Sequence, residues 1–259
     1  MDPSTIAAAL LSGALIGGIL GLVGGGGSIL AVPLLVYVVG VASPHAAIGT
    51  AAVAVGVNAL SGLAGHARAG TVRWRSALVF AAAGVIGAAL GAELGKAFDG
   101  QRLLMLFGAL MIGVGILMLR GRKDAEGREV TLTRDTARAL LPRLIPTGFV
   151  VGLAAGFFGI GGGFLIVPGL LFATAMPMRN AVGSSLVVVG ALGLTTALSY
   201  ALSGLVDWPL TGLLVVGGLA GAAGGIALGR VMAGRKALLE RLFAAAVIAV
   251  GVYVMTKSG

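Results

Sequence analysis

Apolar residues fall in blocks along the chain, at about 5–23, 29–43, 46–65, 76–97 and 103–119, and again at about 143–158, 163–176, 181–202, 210–229 and 238–256. Several blocks reach the roughly 20 residues that a helix needs to cross a hydrocarbon core of about 30 Å. The blocks 29–43 and 163–176 are too short to cross comfortably, and each follows a glycine cluster. A mixed-charge stretch at 120–142 separates the two sets. The pattern predicts an all-α polytopic membrane protein: a first transmembrane repeat (1–119), a charged cytoplasmic linker (120–142) and a second transmembrane repeat (143–259). Each repeat holds about five hydrophobic segments, and the glycine-flanked ones are candidates for re-entrant segments.

The halves repeat in sequence as well as in pattern. Gly24-Gly25-Gly26-Gly27-Ser28-Ile29-Leu30-Ala31-Val32-Pro33 matches Gly159-Ile160-Gly161-Gly162-Gly163-Phe164-Leu165-Ile166-Val167-Pro168. Ala47-Ile48-Gly49-Thr50 matches Ala181-Val182-Gly183-Ser184, and Gly70–Trp74 matches Gly204–Trp208. Gly84, Gly87, Gly91, Gly95 and Lys96 match Gly218, Gly221, Gly225, Gly229 and Arg230. Matches in one order at nearly one offset point to duplication.

Composition narrows the class. Hydrophobic residues make up 58% and charged residues 10% of the 259 positions, too few charges to coat a water-soluble fold of this size. Many of the 46 glycines recur at helical spacing among Leu, Val, Ile and Ala, as expected where membrane helices pack closely. The chain has no cysteine, so disulfides and thiolate metal sites are excluded. Asp2 is the only charge near the N-terminus, so the first block reads as a retained membrane segment rather than a signal peptide.

Charge also sets an expected orientation. With five blocks per half, the second half starts on the opposite face from the first, and the repeats are inverted. Loops placed on alternating sides then put fifteen of the 18 basic residues on one face, leaving only Lys96, Arg102 and Lys257 on the other. The rich side is expected in the cytoplasm and both termini outside it. The net charge of +9 thus fits membrane loops rather than nucleic-acid binding.

The glycine clusters are the first candidate chemistry. Glycine lets the chain turn at membrane depth and brings bare N–H groups close to a ligand. A helix N-terminus after such a turn carries partial positive charge and unpaired donors, and Pro33 and Pro168 are expected in the first turn of that helix. Two such ends from inverted repeats make a place for an anion; the alternative is that these glycines serve only helix packing. The expected substrate-binding residues are Gly25, Gly26, Gly27 and Ser28, with Gly161, Gly162 and Gly163, through their backbone N–H groups. Thr50, Asn58, Ser184 and Ser185 are expected to add neutral hydrogen bonds. A buried Asn in lipid needs partners, whereas Ser and Thr can bond their own helix. Ser61, Thr195, Thr196, Ser199 and Tyr200 share these blocks. Glu93 is expected to pair with Lys96 one turn on, His66 to be solvated at an interface, and Trp74 and Trp208 to anchor at headgroup level. No nucleophile–base pair, metal cluster, cofactor motif or nucleotide loop stands out, so an enzyme is not expected.

The two glycine–Val-Pro motifs, Gly24–Leu35 and Gly159–Pro168, resemble the signature of the TauE/SafE sulfite exporter family. Ala-Ile-Gly-Thr at 47–50, Ala-Val-Gly-Ser-Ser at 181–185 and the two Gly-x-Val-x-Trp segments are similar to that family too. The resemblance covers essentially the whole chain. It implies a secondary transporter of the prokaryotic inner membrane for a small anion such as sulfite, a sulfonate or a related organosulfur compound. Alternating access is the expected mechanism, with protons as candidate coupling ions and a homodimer as a candidate assembly. A passive anion channel and a non-transporting membrane scaffold are the alternatives.

Overall fold

The computed structural model describes residues 1–23, 25–119, 132–133, 135–159, 163–231 and 236–258. Its helices are α1 (Pro3–Val23), α2 (Ala31–Leu34), α3 (Pro44–Arg68), α4 (Trp74–Ala97), α5 (Gly100–Leu119), α6 (Ala137–Phe158), α7 (Gly163–Thr174), α8 (Met178–Leu202), α9 (Trp208–Val231) and α10 (Lys236–Ser258). A 3₁₀ turn (Gly25–Leu30) leads into α2, and a π turn (Leu35–Val39) follows it. Eight helices are long and apolar enough to cross a membrane; α7 and the segment around α2 are not. At 1.5 Å per residue the twelve residues of α7 rise about 18 Å, well short of a bilayer core.

Two expectations on boundaries shift. Pro168 is the sixth residue of α7 rather than part of its first turn, because the helix already begins at Gly163. Proline there removes the N–H that would reach the carbonyl one turn earlier. Helix α6 begins at Ala137, inside the segment read as linker, and carries Pro142 and Pro146 within it. The rest of that linker, 120–131 and 134, lies outside the described residues.

Local chemistry explains the helix ends. Ser43 caps α3, its hydroxyl accepting the Ala46 N–H at 3.3 Å, with Pro44 at the first helical position. The same helix stops at Gly70, which is left-handed (φ 66°). Gly70 N–H donates to the Ala67 carbonyl and Thr71 N–H to that of His66, which satisfies two orphan carbonyls. Helix α8 ends identically at Gly204 (φ 69°), with Gly204 N–H on Ala201 and Leu205 N–H on Tyr200.

Packing pairs helices across the halves. Helix α1 lies on α9 and α4 on α6, while α3 pairs with α8 and α5 with α10. The α1–α9 contact runs backbone to backbone: Gly13 faces Leu214, Gly17 faces Gly218 and Gly21 faces Ala222. The α6–α4 contact repeats it, with Gly148 on Phe80, Gly152 on Gly84 and Gly156 on Ala88. A side chain at any of these glycines would enter a neighbouring backbone. In the centre, α3 and α8 run antiparallel: Gly49 meets Tyr200, Gly56 meets Gly193 and Gly62 meets Leu186. Large apolar side chains such as Leu11, Val150 and Val216 point outward and stay more than 60% exposed in mid-helix, which a lipid surround accommodates.

Candidate functional site

The chain after the first glycine cluster packs inward. Gly27 and Ser28 are buried, and the 3₁₀ turn lies against both α1 and α7. A Cβ on Gly27 would meet the α1 backbone at Leu20 N and Ile16 O, so at this position glycine serves close packing. Gly25 and Gly26 belong to the same turn. Gly163 is the buried first residue of α7, and α7 packs on α6, α8 and the 3₁₀ turn. Equivalent short segments of the two halves therefore touch. Gly161 and Gly162 lie outside the described residues.

The predicted hydroxyls are engaged by the backbone. Thr50 is fully buried, and its Oγ1 accepts the Asp207 N–H at 3.1 Å. Ser184 is equally buried, and its Oγ accepts the Arg73 N–H at 2.8 Å. Ser185 donates to the Val182 carbonyl of its own helix at 2.8 Å. Ser61 and Thr195 likewise bond back to Asn58 O and Ala191 O.

Asn58 differs from all of these. It lies near the middle of α3, is 1% exposed, and presses its amide against Gly218 of α9. Its Oδ1 is buried without a hydrogen-bond partner. The equivalent position in the second half is Leu192, which sits on Gly84 of α4. One half therefore fills this contact with an apolar side chain and the other with an amide. The predicted residues do not form a single cluster: Thr50 and Asn58 are separated by about 12 Å along α3 at 1.5 Å per residue.

At one end of α4 the expected Glu93–Lys96 pair is present at 2.8 Å. It extends further than the spacing foretold. Lys96 Nζ also donates to Ser203 Oγ (2.9 Å) and to the Ser199 carbonyl (3.3 Å), and Ser199 Oγ donates to Glu93 Oε1 (2.9 Å). A pair three residues apart in sequence gives no hint of partners at the end of α8, more than a hundred residues away. His66 is half-buried with Nδ1 3.0 Å from Thr71 Oγ1, in place of simple solvation. Asn180 Nδ2 donates to the Thr71 carbonyl. Trp74 and Trp208 open α4 and α9 and are both exposed.

The chain matches the family model described as sulfite exporter TauE/SafE over residues 9–254. It belongs to that family. A probable membrane transporter protein of Xylella fastidiosa is 53% identical over 95% of this chain and 94% of its own length. The Bacillus subtilis probable membrane transporter protein YunE is 30% identical over 84% of this chain and 86% of its own. No solved structure matches at a significant level. Family membership and eight candidate spans together make this TauE/SafE member a multi-pass membrane transporter.

Proposed function

We propose that this TauE/SafE protein is a secondary transporter, not an enzyme, for a small anion of the sulfite, sulfonate or related organosulfur class. Two inverted halves would work by alternating access in a prokaryotic inner membrane, with both termini outside the cytoplasm. The observation that carries the reading is Asn58. A buried amide at mid-helix, with its oxygen unpartnered, is costly in a membrane span and is by default a functional group there. Its apolar counterpart Leu192 argues that packing does not require it.

Inversion is supported by the antiparallel run of α3 against its equivalent α8, and by the reciprocal α1–α9 and α4–α6 contacts. Rocking of those glycine-locked pairs against the α3–α8 core supplies the alternation. Backbone N–H groups at Gly25–Ser28 and Gly161–Gly163 are the proposed anion donors at the two glycine turns.

The test is flux of sulfite and sulfonates in proteoliposomes, with and without a proton gradient. Asn58→Leu copies the equivalent half, so it should fold normally and lose flux by about tenfold or more, the worth of a buried polar contact. Wild-type flux in that variant would remove Asn58 from the site.

One observation favours a passive channel as second reading. Among the described residues the buried polar side chains are Ser, Thr, Asn and Tyr, with no carboxylate to relay protons. Uphill movement driven by a pH gradient would rule the channel out.

A further inference from the structure

We propose that Lys96, Ser199, Tyr200 and Thr196 form a second anion-binding step, at the end of the protein where α4 and α8 finish, that takes small oxyanions of the sulfite or sulfonate type. This rests on the transporter reading above and adds a site distinct from Asn58.

Three observations carry it. First, Glu93 Oε1 already sits in a seat made for an oxyanion oxygen. It accepts from Lys96 Nζ at 2.8 Å and from Ser199 Oγ at 2.9 Å. The Glu93 side chain is 66% exposed, whereas that of Lys96 is 16% exposed. The carboxylate is therefore the solvated, displaceable partner and the ammonium the fixed one. Exposed ion pairs of this kind contribute little, so a competing anion displaces Glu93 at small cost.

Second, two unpartnered buried hydroxyls lie on one face of α8, four residues apart, and one belongs to the ring that Lys96 faces. Lys96 Nζ lies 5.9 Å from the centre of the Tyr200 ring. Tyr200 is fully buried and its hydroxyl has no partner. Thr196, one turn deeper on α8, is also fully buried, and its Oγ1 has no partner. A threonine in a helix ordinarily closes its hydroxyl on the preceding turn, as the neighbouring Thr195 does on Ala191 O. Thr196 does not. Unpartnered buried hydroxyls are destabilising unless something completes them, and the proposed oxyanion, passing from Lys96 inward between α4 and α8, is what completes them.

Third, the repeat does not demand this arrangement. The position equivalent to Tyr200 is His66, which is taken up by Thr71, and the position equivalent to Thr196 is Gly62. The other half packs with neither free hydroxyl, so both are additions on α8 rather than part of the shared scaffold.

The experiment is the concentration dependence of sulfite flux in proteoliposomes holding the full chain. Tyr200→Phe and Thr196→Val each remove only a hydroxyl's hydrogen-bonding capacity and should raise half-saturation about three- to tenfold. Lys96→Gln should raise it more than tenfold. Glu93→Gln takes away the competing carboxylate charge and should lower it several-fold, a direction that mere structural damage does not produce. Half-saturation within twofold of wild type in Tyr200→Phe and Thr196→Val, with flux intact, would overturn the site and leave the transporter reading standing. Absence of sulfite and sulfonate flux from the wild-type chain would instead overturn both.

Discussion

The hydroxyl of Thr50 holds the backbone N–H of Asp207, and at the equivalent place Ser184 holds that of Arg73. Each bond joins the third apolar segment of one half to the loop that opens a helix of the other. Both hydroxyls are fully buried, so losing either removes a buried acceptor from a loop amide. Thr50→Val and Ser184→Ala should each cost about 1–2 kcal/mol, seen as a lower unfolding temperature in detergent. Half-saturation for anion flux should stay near wild type. A raised half-saturation with unchanged stability would instead assign these hydroxyls to the substrate.

Asp207 also caps α9. Its Oδ1 accepts the Leu210 N–H at 3.0 Å, which places a negative charge at the positive end of the helix. Asp207→Ala should cost about 1 kcal/mol and Asp207→Asn distinctly less, because the amide oxygen still caps. Thermal unfolding of the two variants side by side checks the order.

The glycines divide into two kinds. Gly17 and Gly152 face backbone of α9 and α4, where a side chain has no room. Gly113 and Gly212 have nothing within 4 Å of an added Cβ. Gly17→Leu and Gly152→Leu should separate the paired helices and reduce the yield of monodisperse protein, at a cost of about 3 kcal/mol or more where backbone must move. Gly113→Ala and Gly212→Ala should be neutral, or stabilising by about 0.5–1 kcal/mol through helix propensity. Size-exclusion profiles of the four variants test the division.

Ala175 is the one described non-glycine residue with positive φ, at 52°. It closes α7 where the equivalent position after the α2 segment is Gly40, at φ 84°. Left-handed backbone costs an alanine about 1 kcal/mol that glycine does not incur. Ala175→Gly should therefore raise stability by up to about 1 kcal/mol. A fall in unfolding temperature would show that the methyl group's packing outweighs the strain.

The long apolar blocks, the two short ones behind glycine clusters, the internal repeat and the family resemblance were all legible in the residues themselves. Each depends on local hydropathy, spacing or identity, which a linear chain displays directly. The Glu93–Lys96 pair was legible for the same reason, since three residues on one helix are neighbours whatever the fold.

The choice among polar residues was not legible. Thr50, Ser184, Ser185 and Asn58 look alike in a hydrophobic block, and only the packed structure separates them. Thr50 and Ser184 meet loop amides 157 and 111 residues away, Ser185 bonds its own helix, and Asn58 keeps an orphaned oxygen. Gly27 likewise became a packing glycine only when α1 came to lie against it. Whether a buried polar atom has a partner is decided by residues remote in sequence. That is why the chain alone determined the class of this protein and its helices, while tertiary contact decided which of its described polar groups are paired and which keep no hydrogen-bond partner.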